Sequence, residues 1–233
     1  MVVIMINNGK AQYNAMINYL KTSTVLKKFK YYDSFSQKWI KMLKNHFEND
    51  CLFVTKNISD LDQTYKYEYQ FFDTKLVFEF SIPYIRYFFS KNQNLFPVIT
   101  LSNNQGDLFY GESYCVYTHY DSKKCNIDYE NMNDIFIIPF PSYPLSHVVI
   151  DGNHRLSLQV NQGSRRILVR YCPIEICERS IMSAFQVALY SCLFDCSSIE
   201  YNMNKATDLQ IKKHLKVYNV ESFINNIEKR KLK

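Results

Sequence analysis

The chain has 233 residues, of which 47% are hydrophobic and 16% aromatic, with 19 Tyr and 17 Phe but only five Gly. Enough apolar side chains are present for a folded core, and no run of about 18 apolar residues predicts a membrane span. The formal net charge of +6 is uneven: residues 10–44 hold eight Lys and one Asp, and residues 205–233 hold eight Lys or Arg and three Asp or Glu. Two basic ends favour contact with DNA phosphates, although solvated helix faces often have the same composition.

The seven cysteines have no spacing typical of a zinc site. Cys192 and Cys196 are one helical turn apart among apolar residues, which is the pattern of buried thiols rather than of metal ligands. We therefore expect no metal held by cysteine, and a reducing, cytoplasmic compartment. The apolar stretch 1–6 lacks the basic lead and the cleavage site of a signal peptide, so we expect a strand edge or a disordered start there.

Helical periodicity dominates the N-terminal part of the chain. It predicts one helix, or two short ones, over residues 11–29. A second helix follows, for which Ser34 or Ser36 is a candidate N-cap. Its predicted apolar face consists of Trp39, Ile40, Leu43 and Phe47. With a strand expected at 51–54, residues 1–64 are predicted to form a helical extension with one short strand.

A β-hairpin is predicted next. Residues 65–71 alternate aromatic and polar side chains, and residues 76–82 repeat the alternation after a short turn. The stretch 83–94 then predicts a helix, because a proline at the first turn loses no hydrogen bond there. Arg86 and Ser90 lie one turn apart on the side of this helix opposite to its apolar face.

Residues 102–134 form the next stretch of the chain. Within it we expect a turn, one added strand over residues 109–120 and a polar loop. The apolar residues 135–138 predict a strand, and the proline-rich stretch 139–144 predicts a stiff loop because proline cannot donate to a sheet ladder.

The most informative stretch begins with the apolar run 148–150, which has the composition of a buried strand. Gly152 allows a sharp backbone turn, and Asn153 is a favoured helix N-cap. The residues that follow predict a short helix closed by Gly163, and residues 167–171 alternate as a strand. A strand, a glycine turn and a helix start together place free backbone N–H groups where an anion can bind.

Three side chains at this turn carry the candidate chemistry. His154 and Arg155 lie in the first turn of the predicted helix, where they can add charge-assisted hydrogen bonds to a phosphate. Asp151 ends the strand, where a carboxylate can hold Mg²⁺, orient His154 or act as a base. The alternative for Asp151 is a turn residue that bonds to its own backbone.

The run from Asp151 to Arg155 (Asp-Gly-Asn-His-Arg) resembles the Asp-Gly-x-His-Arg motif of the ParB/sulfiredoxin superfamily, whose branches include the DGQHR-motif proteins of DNA phosphorothioation. Residues 81–101 are similar to the first helix and second strand of that family, so the resemblance covers roughly residues 75–172. Asn153 stands where sulfiredoxin has its reactive cysteine, and we therefore expect no sulfinic acid reductase activity.

The resemblance implies an α+β fold with helical N- and C-terminal extensions. Its ParB/sulfiredoxin-like mixed sheet core would cover residues 65–175, interrupted by the insertion at 102–134, and residues 176–233 would form the C-terminal helical segment. Gly-rich phosphate loops and nucleophile-elbow motifs of other enzyme classes are not found in the sequence.

The resemblance also implies a nucleotide- or phosphate-binding protein linked to DNA transactions, such as those of mobile elements, phages or DNA modification. ATP or CTP would be the nucleotide, with Mg²⁺ as the accompanying ion. The implied phosphate site consists of Gly152, Asn153, His154 and Arg155, together with Arg86 and Ser90. Two alternatives stay open: a phosphotransferase or hydrolase in which Asp151 and His154 are catalytic, and an interaction protein without a working pocket.

Overall fold

The structure is a computed structural model that describes residues 2–50, 63–120, 134–142 and 146–218. The chain forms two compact units, Met1–Phe80 with Ile181–Lys233, and Ser81–Ser180. Helices and a sheet core occur together, which confirms the expected α+β class. In the described ranges, no helix is long and apolar enough to cross a membrane.

Among the described residues, helices dominate the N-terminal and C-terminal parts, and the strands lie between them. The α-helices are α1 (Val2–Thr22), α2 (Tyr32–Glu48), α3 (Ile82–Lys91), α4 (Asn153–Asn161), α5 (Ile174–Ser180), α6 (Ala184–Asn202) and α7 (Asp208–His214). The strands are β1 (Thr64–Phe71), β2 (Thr74–Ser81), β3 (Val98–Asn104), β4 (Asp107–Tyr110), β5 (Ser113–Val116), β6 (Phe136–Phe140), β7 (Ser146–Asp151) and β8 (Arg166–Tyr171). Short 3-10 helices occur at Leu26–Lys28, Gln93–Leu95 and Lys216–Tyr218.

In the first unit, helices cover a two-stranded hairpin. The predicted hairpin is confirmed as β1 and β2, and the apolar side chains that β2 buries are Leu76, Phe78 and Phe80. The backbone N–H groups of Val77 and Glu79 donate to the side-chain oxygens of Gln12 on α1 and Gln186 on α6, each at 2.9 Å. Two glutamine side chains therefore satisfy strand donors that a sheet edge would leave unpaired.

The buried carboxylate of Asp195 joins three segments of the same unit. Asp195 lies on α6 and accepts hydrogen bonds from the indole N–H of Trp39 on α2 at 3.0 Å and from the backbone N–H groups of Lys216 and Val217. Burial raises the pKa of Asp195 to about 7, although the three N–H donors favour its charged form. The carboxylate thus ties α2 and the segment after α7 to α6.

The second unit is built on a closed barrel with the strand order β3-β4-β5-β7-β6-β8. The β5–β7 and β6–β8 pairs are parallel and the other neighbours are antiparallel. The buried core of the barrel consists of Leu101, Leu108, Cys115, Ile135, Ile137, Val149, Leu156, Ile167 and Val169. Leu156 comes from α4, so α4 is fixed against the barrel by the same apolar cluster. The predicted sheet core is present, and it closes into a barrel, which the sequence did not predict.

Two N-terminal expectations are wrong. Residues 2–6 belong to α1 rather than to a strand edge or a disordered start, because a helix nucleated downstream gains a hydrogen bond for each residue that it adds. Ser34 and Ser36 do not cap α2, which begins at Tyr32. The buried stripe of α2 starts at Phe35, so the helix has to begin before it.

Two expectations in the barrel are also wrong. Residues 109–120 do not form one added strand: β4 and β5 pair through a turn in which Gly111 adopts φ +60°. Pro139 lies inside β6 and opposite His147 of β7, rather than at the start of a loop. The second neighbour of β6, β8, pairs with it only at Phe136 and Ile137, so the missing N–H of Pro139 breaks no ladder bond on that side.

The units differ from the sequence-based divisions. The hairpin belongs with the helices and not with the core at 65–175, and the N- and C-terminal segments, predicted separately, belong to one unit. The buried thiols predicted for α6 are confirmed, since Cys192 and Cys196 are free and buried. Several expectations fall outside the described residues. They are the strand at 51–54, the polar loop within the insertion, residues 143–144 of the proline-rich stretch, and residues 219–233 of the C-terminal segment.

We expect Asp195→Asn to lower the free energy of unfolding by about 2 kcal/mol, because one side-chain NH₂ group would then face an N–H donor in a buried site. Urea unfolding followed by tryptophan fluorescence measures this directly. The exposed Asp33→Asn is the matched control and should change stability by less than about 0.5 kcal/mol. Equal effects of the two substitutions would contradict the assigned role of Asp195.

A second buried titratable group, His147, lies in the barrel wall on β7. Its ring makes edge-to-face contacts with Tyr110 and Tyr171, at centroid distances of 5.4 and 5.9 Å. It is 3% exposed, and Nδ1 has no hydrogen-bond partner within the described chain. Burial lowers the pKa of His147 to about 4, so the folded barrel holds the neutral ring.

The free energy of unfolding should therefore fall as the pH drops from about 6.5 toward about 4, because the unfolded chain then binds a proton that folded His147 excludes. The contribution of neutral His147 to the free energy of unfolding is fully present above about pH 6.5, and its size is up to about 3 kcal/mol. His147→Phe should flatten this part of the pH dependence in urea unfolding. The exposed His119→Phe should keep it, and an unchanged pH dependence in His147→Phe would refute the assignment.

Candidate functional site

The site is built on the junction between β7 and α4. β7 ends at Asp151, Gly152 adopts φ +85°, and α4 begins at Asn153, which confirms the predicted strand, glycine turn and helix. A Cβ atom on residue 152 would lie 2.8 Å from Arg155 Nη2 and 3.0 Å from a side-chain carbon of Ile135. Glycine is therefore required both by the left-handed backbone and by the close approach of two neighbours.

Asn153 is not the N-cap that its sequence position predicts. It is the first residue of α4, and Gly152 occupies the cap position without a side-chain bond. The amide of Asn153 instead accepts from the Thr118 N–H at 2.8 Å and donates to the Val149 carbonyl at 3.1 Å. One turn later, Ser157 accepts from the Tyr120 N–H at 3.0 Å. These bonds fasten the segment after β5 along α4.

His154 lies at the exposed start of α4. Its ring centroid is 3.8 Å from that of Tyr120, with the two ring planes inclined at 68°. The bond between Tyr120 and Ser157 fixes the backbone of the tyrosine, and the tyrosine in turn limits where the imidazole can move. His154 is therefore available at the surface next to the helix start.

Asp151 binds two arginine side chains. Its carboxylate accepts from Arg86 Nε at 2.8 Å and from Arg86 Nη2 at 3.0 Å, a bidentate pair that links α3 to the end of β7. Arg155 Nη2 lies 3.7 Å from the same carboxylate and donates to the Asp134 carbonyl at 3.1 Å. The predicted residues Arg86, Asp151 and Arg155 are thus brought together.

A second ion pair extends the cluster. Arg170 on β8 donates to the Asp134 carboxylate at 2.8 Å, and the backbone of Asp134 accepts the hydrogen bond from Arg155. The guanidinium groups of Arg86, Arg155 and Arg170 outnumber the two carboxylates, so the cluster has one excess positive charge. Burial lowers the pKa of Arg155, and the neighbouring Asp151 carboxylate opposes this shift.

A cavity of about 250 Å³ adjoins this cluster. One part of its wall is apolar and includes Val98 and Leu168, whose side chains are largely exposed. The polar part contains Arg155, Arg170 and the amide of Gln159 on α4. Arg155 therefore connects the helix start with a recess that has both apolar and polar walls.

Ser90 is not brought into the cluster, although it lies one turn after Arg86. Its hydroxyl donates to the Tyr87 carbonyl of its own helix at 2.8 Å. Asp134, Arg170 and Tyr120 were missed by sequence reasoning. Each of them meets the site through a contact with a residue distant in the sequence, and no local pattern signals such a contact.

The contacts of the cluster in the described part of the chain join arginine and aspartate residues and include no cysteine. The described cysteines are free and buried, and burial raises the pKa of Cys115 to about 12. Within the described ranges, no group of three or more His, Cys, Asp and Glu side chains is arranged to hold a metal ion. The groups that the structure does place at the site are guanidinium groups, two carboxylates, an imidazole and the N–H groups of the helix start.

Comparison of the chain with protein-family models, with curated proteins and with solved structures finds no match in any of the three. The resemblance to the ParB/sulfiredoxin superfamily thus depends on the motif residues and on the stretch 81–101 alone. The geometry of the site is the remaining guide to its chemistry.

Gly152→Ala should lower the free energy of unfolding by about 3 kcal/mol or more, because the left-handed backbone and the crowding by Arg155 and Ile135 add together. Gly163→Ala is the matched control. Gly163 has φ +74°, but a Cβ atom there would meet no atom within 4 Å, so only the backbone cost of about 1 kcal/mol applies. Thermal and urea unfolding of both variants check this, and equal losses would show that crowding at residue 152 is unimportant.

Proposed function

We propose that this protein is a ParB/sulfiredoxin-like protein that binds the phosphates of a nucleotide at the start of α4 and takes part in DNA transactions. The observation that carries the proposal is the pair of guanidinium groups, Arg86 and Arg155, fixed by Asp151 next to the helix start. The phosphate contacts would come from Arg155, His154 and the backbone N–H groups of residues 152–154.

The first support is electrostatic. The N–H groups in the first turn of a helix have no partner within the helix, and the helix dipole places partial positive charge there. Arginine donors in a fixed fork match the geometry of phosphate oxygens. Because the cluster of three arginines and two aspartates has one excess positive charge, an anion at this position neutralises it.

The second support concerns the remainder of the ligand. The cavity beside Arg155 offers an apolar wall at Val98 and Leu168 and an amide at Gln159. Such a recess suits the base or the ribose of a nucleotide whose phosphates contact Arg155. ATP and CTP are the two nucleotides that the family resemblance suggests.

Asp151 acts in this proposal as an anchor for arginine and not as a metal ligand. Arg86 donates to both carboxylate oxygens of Asp151, so Mg²⁺ coordination or proton abstraction by Asp151 would compete with that pair. Mg²⁺ would then enter with the nucleotide phosphates. The same geometry favours binding over turnover.

A thermal-shift titration with ATP, CTP and inorganic pyrophosphate, each with and without Mg²⁺, tests the proposal. A ligand that binds only the folded state stabilises it by about 2.7 kcal/mol at 100 times its Kd. We expect a shift for wild type that Arg155→Ala abolishes and that His154→Ala reduces. The exposed Arg166→Ala removes the same charge from β8 outside the cluster and should leave the shift intact.

Arg155 also has structural contacts, so the exposed Arg86→Gln is a second test variant whose fold can be checked by circular dichroism. No shift with any of the three ligands, in a folded wild-type protein, would refute the proposal. Mg²⁺-dependent release of phosphate that Asp151→Asn abolishes would instead establish the phosphotransferase or hydrolase alternative.

A further inference from the structure

The first compact unit brings together basic residues from the two ends of the chain. The ammonium group of Lys212 lies 4.1 Å from the ring centroid of Tyr31, and that of Lys30 lies 6.0 Å from the same centroid. Lys30 precedes α2, whereas Lys212 is in the last turn of α7. Two segments far apart in the sequence therefore share one aromatic ring, which forms a cation–π contact with each.

The N-terminal basic residues lie on a short segment whose lysine side chains are exposed to solvent. Leu26 and Phe29 are buried, whereas Lys27, Lys28 and Lys30 are exposed. The two buried side chains fix the short 3-10 segment, so the lysines are presented from a held backbone and not from a free loop.

The C-terminal part is held equally firmly. A capping box between Thr207 and Gln210 starts α7, and Ile211 is buried under it. Lys213 and His214 are exposed in the last turn. The segment that follows is bonded to the carboxylate of Asp195, which also holds Trp39 of α2. The same buried carboxylate thus bonds to α2, which follows the N-terminal lysines, and to the segment that follows α7.

We propose that this joined basic surface, defined by Lys27, Lys28, Lys30, Lys212 and Lys213, binds the phosphate backbone of DNA. Lysines are compact, solvated charges that contact phosphates without reading base edges. The ammonium groups of Lys212 and Lys30 lie 4.1 and 6.0 Å from the ring centroid of Tyr31, so lysine already engages this ring. Binding is therefore independent of sequence and strongly dependent on salt.

An anionic membrane is the competing polyanion, and α7 argues against it. A helix that lies in a membrane interface needs a wide apolar face. α7 has seven residues and buries Ile211 in the protein, which leaves Leu209 as its exposed apolar side chain. The inference does not depend on the nucleotide site, since every residue of the basic surface belongs to the other unit.

The test measures binding of the full chain to a fluorescent DNA duplex of about 20 base pairs over a range of salt concentrations. Lys30→Gln and Lys213→Gln should each lower the slope of log K against log salt by about one, and the double variant should lower it by about two. The first substitution is in the N-terminal part of the chain and the second in the C-terminal part. Each must therefore lower the salt slope if the two parts form one DNA-binding surface.

The matched control is Lys66→Gln with Lys75→Gln. These two exposed lysines lie on the hairpin of the same unit, each 3.0 Å from Glu68, and their removal changes the net charge by the same amount. The control should keep the wild-type slope. Arg155→Ala should also retain DNA binding, which separates this inference from the proposed nucleotide site.

Four outcomes would overturn the inference. The first is an absence of DNA binding by the folded wild-type chain at low salt. The second is an equal loss of slope in the test and control variants, since net charge alone would then explain it. The third is an effect of only one of the two single substitutions. The fourth is binding to phosphatidylserine vesicles without binding to DNA.

Discussion

The left-handed turn at Gly152 is the constraint on which the candidate site depends. It lets β7 pass directly into α4 while Ile135 and the Arg155 side chain pack against the turn. Since residues four apart lie on one side of a helix start, Asp151 and Arg155 then share one ion cluster, which Arg86 joins from α3. A side chain at residue 152 would displace the arginine that the site needs.

Single buried polar side chains join distant segments in both units. The amide of Asn153 ties the segment after β5 to the start of α4, and Ser157 adds a second bond to the same segment. Asp195 does the same for α2, α6 and the chain after α7. In a buried, water-poor environment such bonds specify one arrangement, because a lost partner leaves a polar group unsatisfied.

The protein carries positive charge in two chemically different forms. The guanidinium groups of Arg86 and Arg155 are held by a carboxylate, so their directions are fixed, which suits the recognition of a particular phosphate. Lys30 and Lys213 are exposed point charges that attract any polyanion at a distance. The arginines thus suit directed contact with one phosphate, and the lysines suit long-range attraction of a polyanion.

Local patterns in the sequence determined the hairpin, the turn at Gly152, the short helix closed by Gly163 and the basic composition of both ends, since period, turn chemistry and charge are properties of neighbouring residues. Only the tertiary structure decided that the sheet closes into a barrel, that Pro139 is inside a strand, that Asn153 bonds to Thr118 instead of capping its helix, and that the two basic ends meet at Tyr31. These features depend on contacts between residues far apart in the chain, and the free energy of such contacts comes from burial and pairing that no short stretch of sequence encodes.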